Sequence, residues 1–250
     1  MKRLVASFAV AGRDRGFTDK ERGVVNTAVG RAYRESIARF AGMRNLDLWY
    51  SRLDIDSVLE GWRKGATAEE KKRSDRNLAK TKSKDSLRAF GKLTEVVDGE
   101  VRIISDPPVI VPMEDILGDR AGDWEDFVRG VLRSYRRTLA GDRRKLLERF
   151  RFVHAARKVV GVGSVGTRAY IMLLLGRDGE DPLFLQFKEA EASVLEPFLG
   201  KSEFANHGQR VVEGQRLTQA ASDIMLGWIR AEGIDHVKRD FYVRQLWDAK

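Results

Sequence analysis

Between Lys158 and Lys188 three short β-prone apolar runs follow one another closely: Lys158 to Val162, Ala169 to Leu175 and Leu183 to Lys188. None is long enough for a helix, and glycine-rich or Asp-Gly segments bound each of them, so the segment predicts antiparallel strands. Arg177-Asp178-Gly179 supplies turn chemistry for a hairpin between the second and third runs. A helix is expected from about Asn206 through Ser222, followed by two extended runs, Ile224 to Ile229 and Phe241 to Trp247. This order predicts a five-stranded antiparallel sheet with one main helix.

The first half has a different period. Leu4, Val5, Phe8 and Val10-Ala11 recur at helical spacing, with Gly12 or Gly16 as the stop. Thr18 and Glu21 form a capping-box pattern, and Val24, Val25, Ala28, Ala32 and Ile37 line one face of a helix that should reach about Phe40. Leu46 to Leu53 is ambiguous, and Asp56 to Trp62 reads as a short helix. Val101 to Ile104 predicts a strand and Val109 to Pro112 an extended segment after Pro107-Pro108. Helices are expected again at Trp124 to Leu139 and Arg143 to Phe152. The fold class is therefore α+β, with a helical part over 1–152 and a sheet-forming part over 153–250.

Composition removes several functional classes. The 250 residues contain no cysteine, which excludes disulfides, cysteine-based metal sites and thiol nucleophiles. The longest apolar run, Ala169 to Leu175, falls far below the roughly 20 residues a membrane helix needs. Arg13, Asp14 and Arg15 follow the apolar start without a small-residue cleavage site, so no signal peptide is read and a cytoplasmic protein without a membrane partner is expected. The net charge of +9 is concentrated: Arg63 to Lys92 holds 11 basic and 4 acidic residues. That stretch could track a nucleic-acid backbone or another anionic partner, but Phe90 within it and Trp62 just before it are the only aromatics there. A solvated helix is the better reading, and nucleic acid is the secondary one.

Gly161-Val162-Gly163-Ser164-Val165-Gly166 matches G-x-G-x-x-G, a pattern expected by chance about 0.2 times in a chain of this glycine content. A dinucleotide-binding loop would open a helix, whereas Gly166 is followed by a strand. The arrangement suits a flap of two antiparallel strands over a nucleotide's phosphates, as in protein kinases. Lys188 ends the third strand, where a kinase places its phosphate-holding lysine, and Glu213 lies on the next helix, where it could pair with Lys188. Alone, Lys188 and Glu213 would each be an ordinary surface charge; their order after the glycine loop favours a nucleotide-binding lobe. His154 reads as structural or exposed, His207 as a helix cap or phosphate contact, and His236 as a loop residue. None of the three has metal-ligand spacing with another.

Four stretches carry a closer likeness: Lys158 to Arg168, Leu183 to Ala190, Ala205 to Arg216 and Asp240 to Leu246. Together with Lys2 to Phe8, Ala11 to Asp14 and Lys92 to Asp98, they closely resemble a bacterial family called domain of unknown function 2252. That resemblance implies a kinase-like fold, with the sheet and main helix as its N-lobe. It gives Gly161, Gly163, Ser164 and Gly166 the phosphate-loop role, Lys188 the phosphate lysine and Glu213 its partner. It makes Val243, Arg244, Gln245 and Leu246 the hinge beside adenine, and it implies ATP with magnesium as the ligand. The chain departs from the pattern: it has His207-Gly208-Gln209 but neither His-Gly-Asp nor His-Arg-Asp, and no Asp-Phe-Gly segment. By resemblance those loops would lie upstream of Met1, and further helices beyond Lys250. A truncated piece is thus expected, inactive in phosphoryl transfer on its own and prone to self-association through uncovered faces.

Overall fold

The computed structural model describes the chain except for residues 52–54, 83–85, 119–123, 160–165, 220, 234 and 247–250; of 55–57, 77, 79–82, 86, 88 and 125 it describes the backbone alone. The chain divides into two compact units, Met1–Val58 and Leu59–Lys250.

The first unit is helical. Helix α1 (Lys2–Asp14) packs against α2 (Asp19–Ala41), and a short α3 (Asn45–Tyr50) follows. Thr18 starts α2 through a complete capping box: its backbone N–H donates to the Glu21 carboxylate at 2.8 Å, while the Glu21 N–H donates back to the Thr18 hydroxyl at 3.3 Å. Two donors that the helix start leaves without internal partners are thereby satisfied.

Helix α4 (Ile55–Arg63) leads into the second unit, where α5 (Ala68–Lys82) and α6 (Ser86–Leu93) follow. Helix α5 repeats the capping box with Thr67 and Glu70. Lys72, Arg73 and Arg76 on it are exposed, so this part of the basic stretch is a solvated helix, whereas α6 packs on the core through Ala89. Strands β1 (Thr94–Val97) and β2 (Glu100–Ile103) form a separate hairpin, and β3 (Ile110–Pro112) leads into α7 (Met113–Leu117). Helices α8 (Trp124–Arg136) and α9 (Gly141–Leu147) precede β4 (Arg151–Lys158), β5 (Ala169–Leu175) and β6 (Pro182–Ala190). Then come α10 (Glu196–Leu199), α11 (His207–Thr218), β7 (Gly227–Glu232) and β8 (Lys238–Gln245).

The fold is α+β, but its main sheet has six antiparallel strands in the order β3-β4-β5-β6-β8-β7, not the expected five. The extra strand is the segment read only as extended. Three residues are too few to announce a strand, and Ile110 to Pro112 becomes one by pairing with the edge of β4. Pro112 has no N–H, which suits it to that outer position. The first strand of the central set is also displaced from its expected place: β4 is Arg151–Lys158, and 160–162 lie outside the described residues. His154-Ala155-Ala156-Arg157 lacks β-branched residues, so local propensity concealed it. The expected helix at Arg143 to Phe152 accordingly stops at Leu147.

Strand β6 is covered on both faces. On one, Leu185 and Phe187 join Met172, Leu174, Val243 and Ile229 beneath α8 and α9. Tyr135 of α8, fully buried, donates its hydroxyl to the Met225 carbonyl and meets the Phe187 ring edge-on. On the other face Phe184, Ile171, Leu173, Ala156 and Leu246 pack with Ala89 and Leu93 of α6 and with Ile103 of β2. Helix α11 covers the far end of this second face. Its glycine at 208 is a close approach: a Cβ there would stand 2.2 Å from the Phe241 carbonyl oxygen of β8.

That approach decides the sign of a substitution. Ala at a helical position is ordinarily worth about 1 kcal/mol over Gly. Here the methyl meets backbone, so Gly208→Ala should destabilise the protein by about 1–3 kcal/mol in urea unfolding. An unchanged or raised midpoint would show that α11 does not pack this closely on β8.

Candidate functional site

Directly opposed residues in neighbouring strands share a face. The pairings Lys188 with Tyr242, Gln186 with Arg244 and Ala190 with Asp240 therefore set these six side chains on one side of β6 and β8. Ala169 and Ile171 of β5 join them there, as do Trp228 and Arg230 of β7. At one end this face is closed by α6, at the other by α11. Between the two covers lie Gln186, Lys188, Tyr242 and Arg244.

The α11 end is organised by a buried carboxylate. Asp240 is 5% exposed. It accepts the His207 backbone N–H at 2.8 Å, the Asn206 amide at 3.0 Å, and Arg230 through Nε at 2.6 Å and Nη2 at 3.0 Å. Burial alone would raise its pKa, but the Arg230 and His207 hydrogen bonds and the Arg230 charge outweigh burial and hold it below the ordinary aspartate value. The helix cap is Asn206, whose side-chain oxygen accepts from the Gln209 N–H at 3.0 Å, and not His207. The Asn-His-Gly sequence before an amphipathic helix carried that signal.

Lys188 is half-buried. Burial first, and then the neighbouring Arg244 charge, lower its pKa from the ordinary lysine value. No ion pair is formed by Lys188 or Arg244 among the described residues. The structure does not pair Lys188 with Glu213, as the sequence led us to expect. Glu213 instead accepts from Arg216 at 3.1 Å, and Arg216 also donates to the Leu226 carbonyl and lies over the Trp228 ring. Arg216 is one turn from Glu213 on its own helix, so this pairing needs no bridge between helix and sheet.

Of the glycine loop, Gly161, Gly163 and Ser164 lie outside the described residues. Gly166 is described and adopts φ +84°, a left-handed conformation that favours glycine. The loop's two ends are fixed. Before it, the Val159 N–H donates to the Val109 carbonyl at 2.9 Å. After it, the Arg168 N–H donates to the Glu189 carboxylate at 3.0 Å. Glu189 also pairs with Arg239 at 3.3 Å, and Asp235 takes both Arg168, at 3.4 Å, and Arg239, at 2.6 Å. Glu189 is adjacent to Lys188 in sequence, yet the two serve different partners. Strand alternation, which sends adjacent residues to opposite faces, was the signal that could have separated them.

The expected hinge is internally bonded. The Gln245 N–H donates to the Asp223 carboxylate, and the Leu246 N–H donates to the Phe184 carbonyl at 3.0 Å. Val243 is fully buried under α8, whereas Arg244 is exposed on the Lys188 face. His154 lies outside this region: its Nδ1 accepts from the Ile103 N–H at 3.1 Å and its Nε2 meets Glu114 at 2.8 Å, tying β2 and α7 to β4. His236 bonds Glu232 in the β7–β8 turn at 3.1 Å. Among the described residues no three histidine or acidic side chains come together as a metal site, and no helix is long and apolar enough to cross a membrane.

A family model described as "Uncharacterized protein conserved in bacteria (DUF2252)" matches residues 1–250. The chain belongs to the DUF2252 family. No curated protein and no solved structure matches it. Of the second-half stretches that carry the DUF2252 likeness, one begins at the end of β4 and stops before β5, and the others fall on β6, α11 and β8, so they include Lys188, Glu189 and Asp240.

The Asp240 assembly yields a pH dependence. A carboxylate held below its unfolded value of about 3.9 stabilises the fold fully above that value, and the contribution disappears as pH falls through the lower folded value. Urea midpoints measured from pH 7 to pH 2.5 should fall in this acid window. Asp240→Asn should lose about 1–3 kcal/mol at pH 7 and show a smaller acid-dependent loss than wild type. Parallel pH profiles for the two proteins would remove Asp240 from that role.

Proposed function

We propose that the Lys188 face is a nucleotide-binding site, with ATP as its ligand, in a kinase-like N-lobe. The observation that carries this reading is a half-buried lysine on the central strand with no anionic side chain paired to it among the described residues. A desolvated ammonium beside a second cation is electrostatically unsatisfied, and an incoming phosphate relieves both terms. Three features support it. The glycine pattern precedes β5 with its ends anchored at Val159 and Arg168, so a phosphate-covering flap would have a fixed base. Helix α11 joins the lysine strand β6 to the last two strands, the order in which kinases place their αC helix. On this face Lys188 is only half-buried and Arg244 is exposed, so a ligand could reach Lys188 from the Arg244 side.

In this reading Lys188 and the loop glycines hold phosphate, Arg244 adds positive charge at the same face, and Glu213 remains with Arg216. The proposal is one of binding. The 250 residues lack the His-Arg-Asp type of catalytic loop, and the described residues offer no acidic cluster for magnesium, so no phosphoryl-transfer step is assigned to this chain.

Calorimetric titration of the whole chain with ATP and with inorganic tripolyphosphate is the direct test. Both should bind, and Lys188→Met should weaken both by about tenfold or more, because a charge-assisted contact is lost. Equal affinity in the variant, or no binding of either ligand to wild type, would overturn the proposed site.

A further inference from the structure

Gln186 is fully buried, and neither its Oε1 nor its Nε2 has a hydrogen-bond partner. Buried side-chain amides are ordinarily satisfied, and one that is not destabilises the fold relative to an apolar residue of the same volume. Its neighbours on that face provide no reason for an amide: Ile171 is directly opposite in β5, and Phe184 precedes it on β6. On its other side stands Arg244, and two residues along β6 is Lys188. The Lys188 backbone lies about 7 Å away at strand rise, a distance comparable to the ribose that separates a nucleobase from its phosphates.

Resting on the nucleotide reading above, we propose that Gln186 recognises the base of the nucleotide whose phosphates Lys188 holds, and that the base is adenine. A carboxamide presents one acceptor and one donor side by side, the complement of the amino donor and ring-nitrogen acceptor on an adenine edge. The usual alternative, a backbone hinge, is already occupied here. The Gln245 N–H is bonded to Asp223 and the Leu246 N–H to Phe184, so neither is free to meet a base. Ile171, Phe184 and Leu246, all buried, give the amide apolar surroundings of the kind that line base-binding sites. Arg244 and Lys188 flank Gln186 with long side chains, so a base would enter by moving flexible groups toward its phosphates rather than by shifting backbone. The unsatisfied amide is then a group pre-placed for a ligand.

The test uses the whole chain with Gln186→Met, an apolar replacement of nearly equal volume, and ATP, GTP and inorganic tripolyphosphate as probes. Wild type should prefer ATP to GTP by about tenfold. Gln186→Met should keep its tripolyphosphate affinity, lose about tenfold for ATP and no longer distinguish the two nucleotides. It should also melt about 2–4 °C higher, since an unpaired buried amide has been removed. Unchanged ATP affinity and unchanged ATP-to-GTP ratio in the variant would overturn the role of Gln186 while leaving the phosphate site intact. A wild-type preference for GTP would overturn the choice of adenine. Failure of wild type to bind tripolyphosphate or nucleotide would overturn the nucleotide reading and this inference together.

Discussion

One buried carboxylate holds together the end of the molecule on which the candidate site depends. Asp240 sits on β8, bonds the first N–H of α11, receives the amide of the capping Asn206 and pairs with Arg230 of β7. A helix start and two strands thus share a single acceptor. An isolated buried charge would be costly, but here each oxygen has at least two donors, one of them a guanidinium. The assembly places α11 at a fixed height on the sheet, with Gly208 against the Phe241 carbonyl. That placement sets α11 beside the half-buried Lys188 on the same face of the sheet.

Much of this was readable from residue pattern, and what was not has physical reasons. The capping box at Thr18 and Glu21 gave the start of α2 correctly because cap chemistry is local. The β5–β6 hairpin was equally visible, since short continuous apolar runs and an Asp-Gly turn both act within a few residues. Strand β3 was missed because three residues become a strand only when a distant edge supplies partners, and β4 was misplaced because its central residues are poor strand formers. Family membership was readable from the second-half motifs.

Within the site, identity was easier to read than pairing. Lys188 was singled out by its place after the glycine pattern, and the structure sets it on the sheet face next to α11. Glu213 was expected to reach it, yet a nearer cation on the same helix, Arg216, takes the carboxylate. Such local competition cannot be ranked from spacing alone, because helical neighbours and strand partners both lie within reach. Gln186 offered no signal at all: a single glutamine in an apolar run reads as an exposed position on an alternating strand. Only its complete burial without a partner distinguishes it.

The adjacency of Lys188 and Glu189 has one more consequence. They project from opposite faces of β6, the first toward the proposed phosphate position and the second to the backbone that leaves the glycine loop. Inserting or deleting one residue in this strand would exchange their directions, burying the ammonium among the anchors of the loop and aiming the carboxylate at phosphate. Changes of chain length in this region are therefore tolerable only outside the paired stretch. The segment 176–181 between β5 and β6 is the place where natural variants of this protein can gain or lose residues without altering which charge faces which partner.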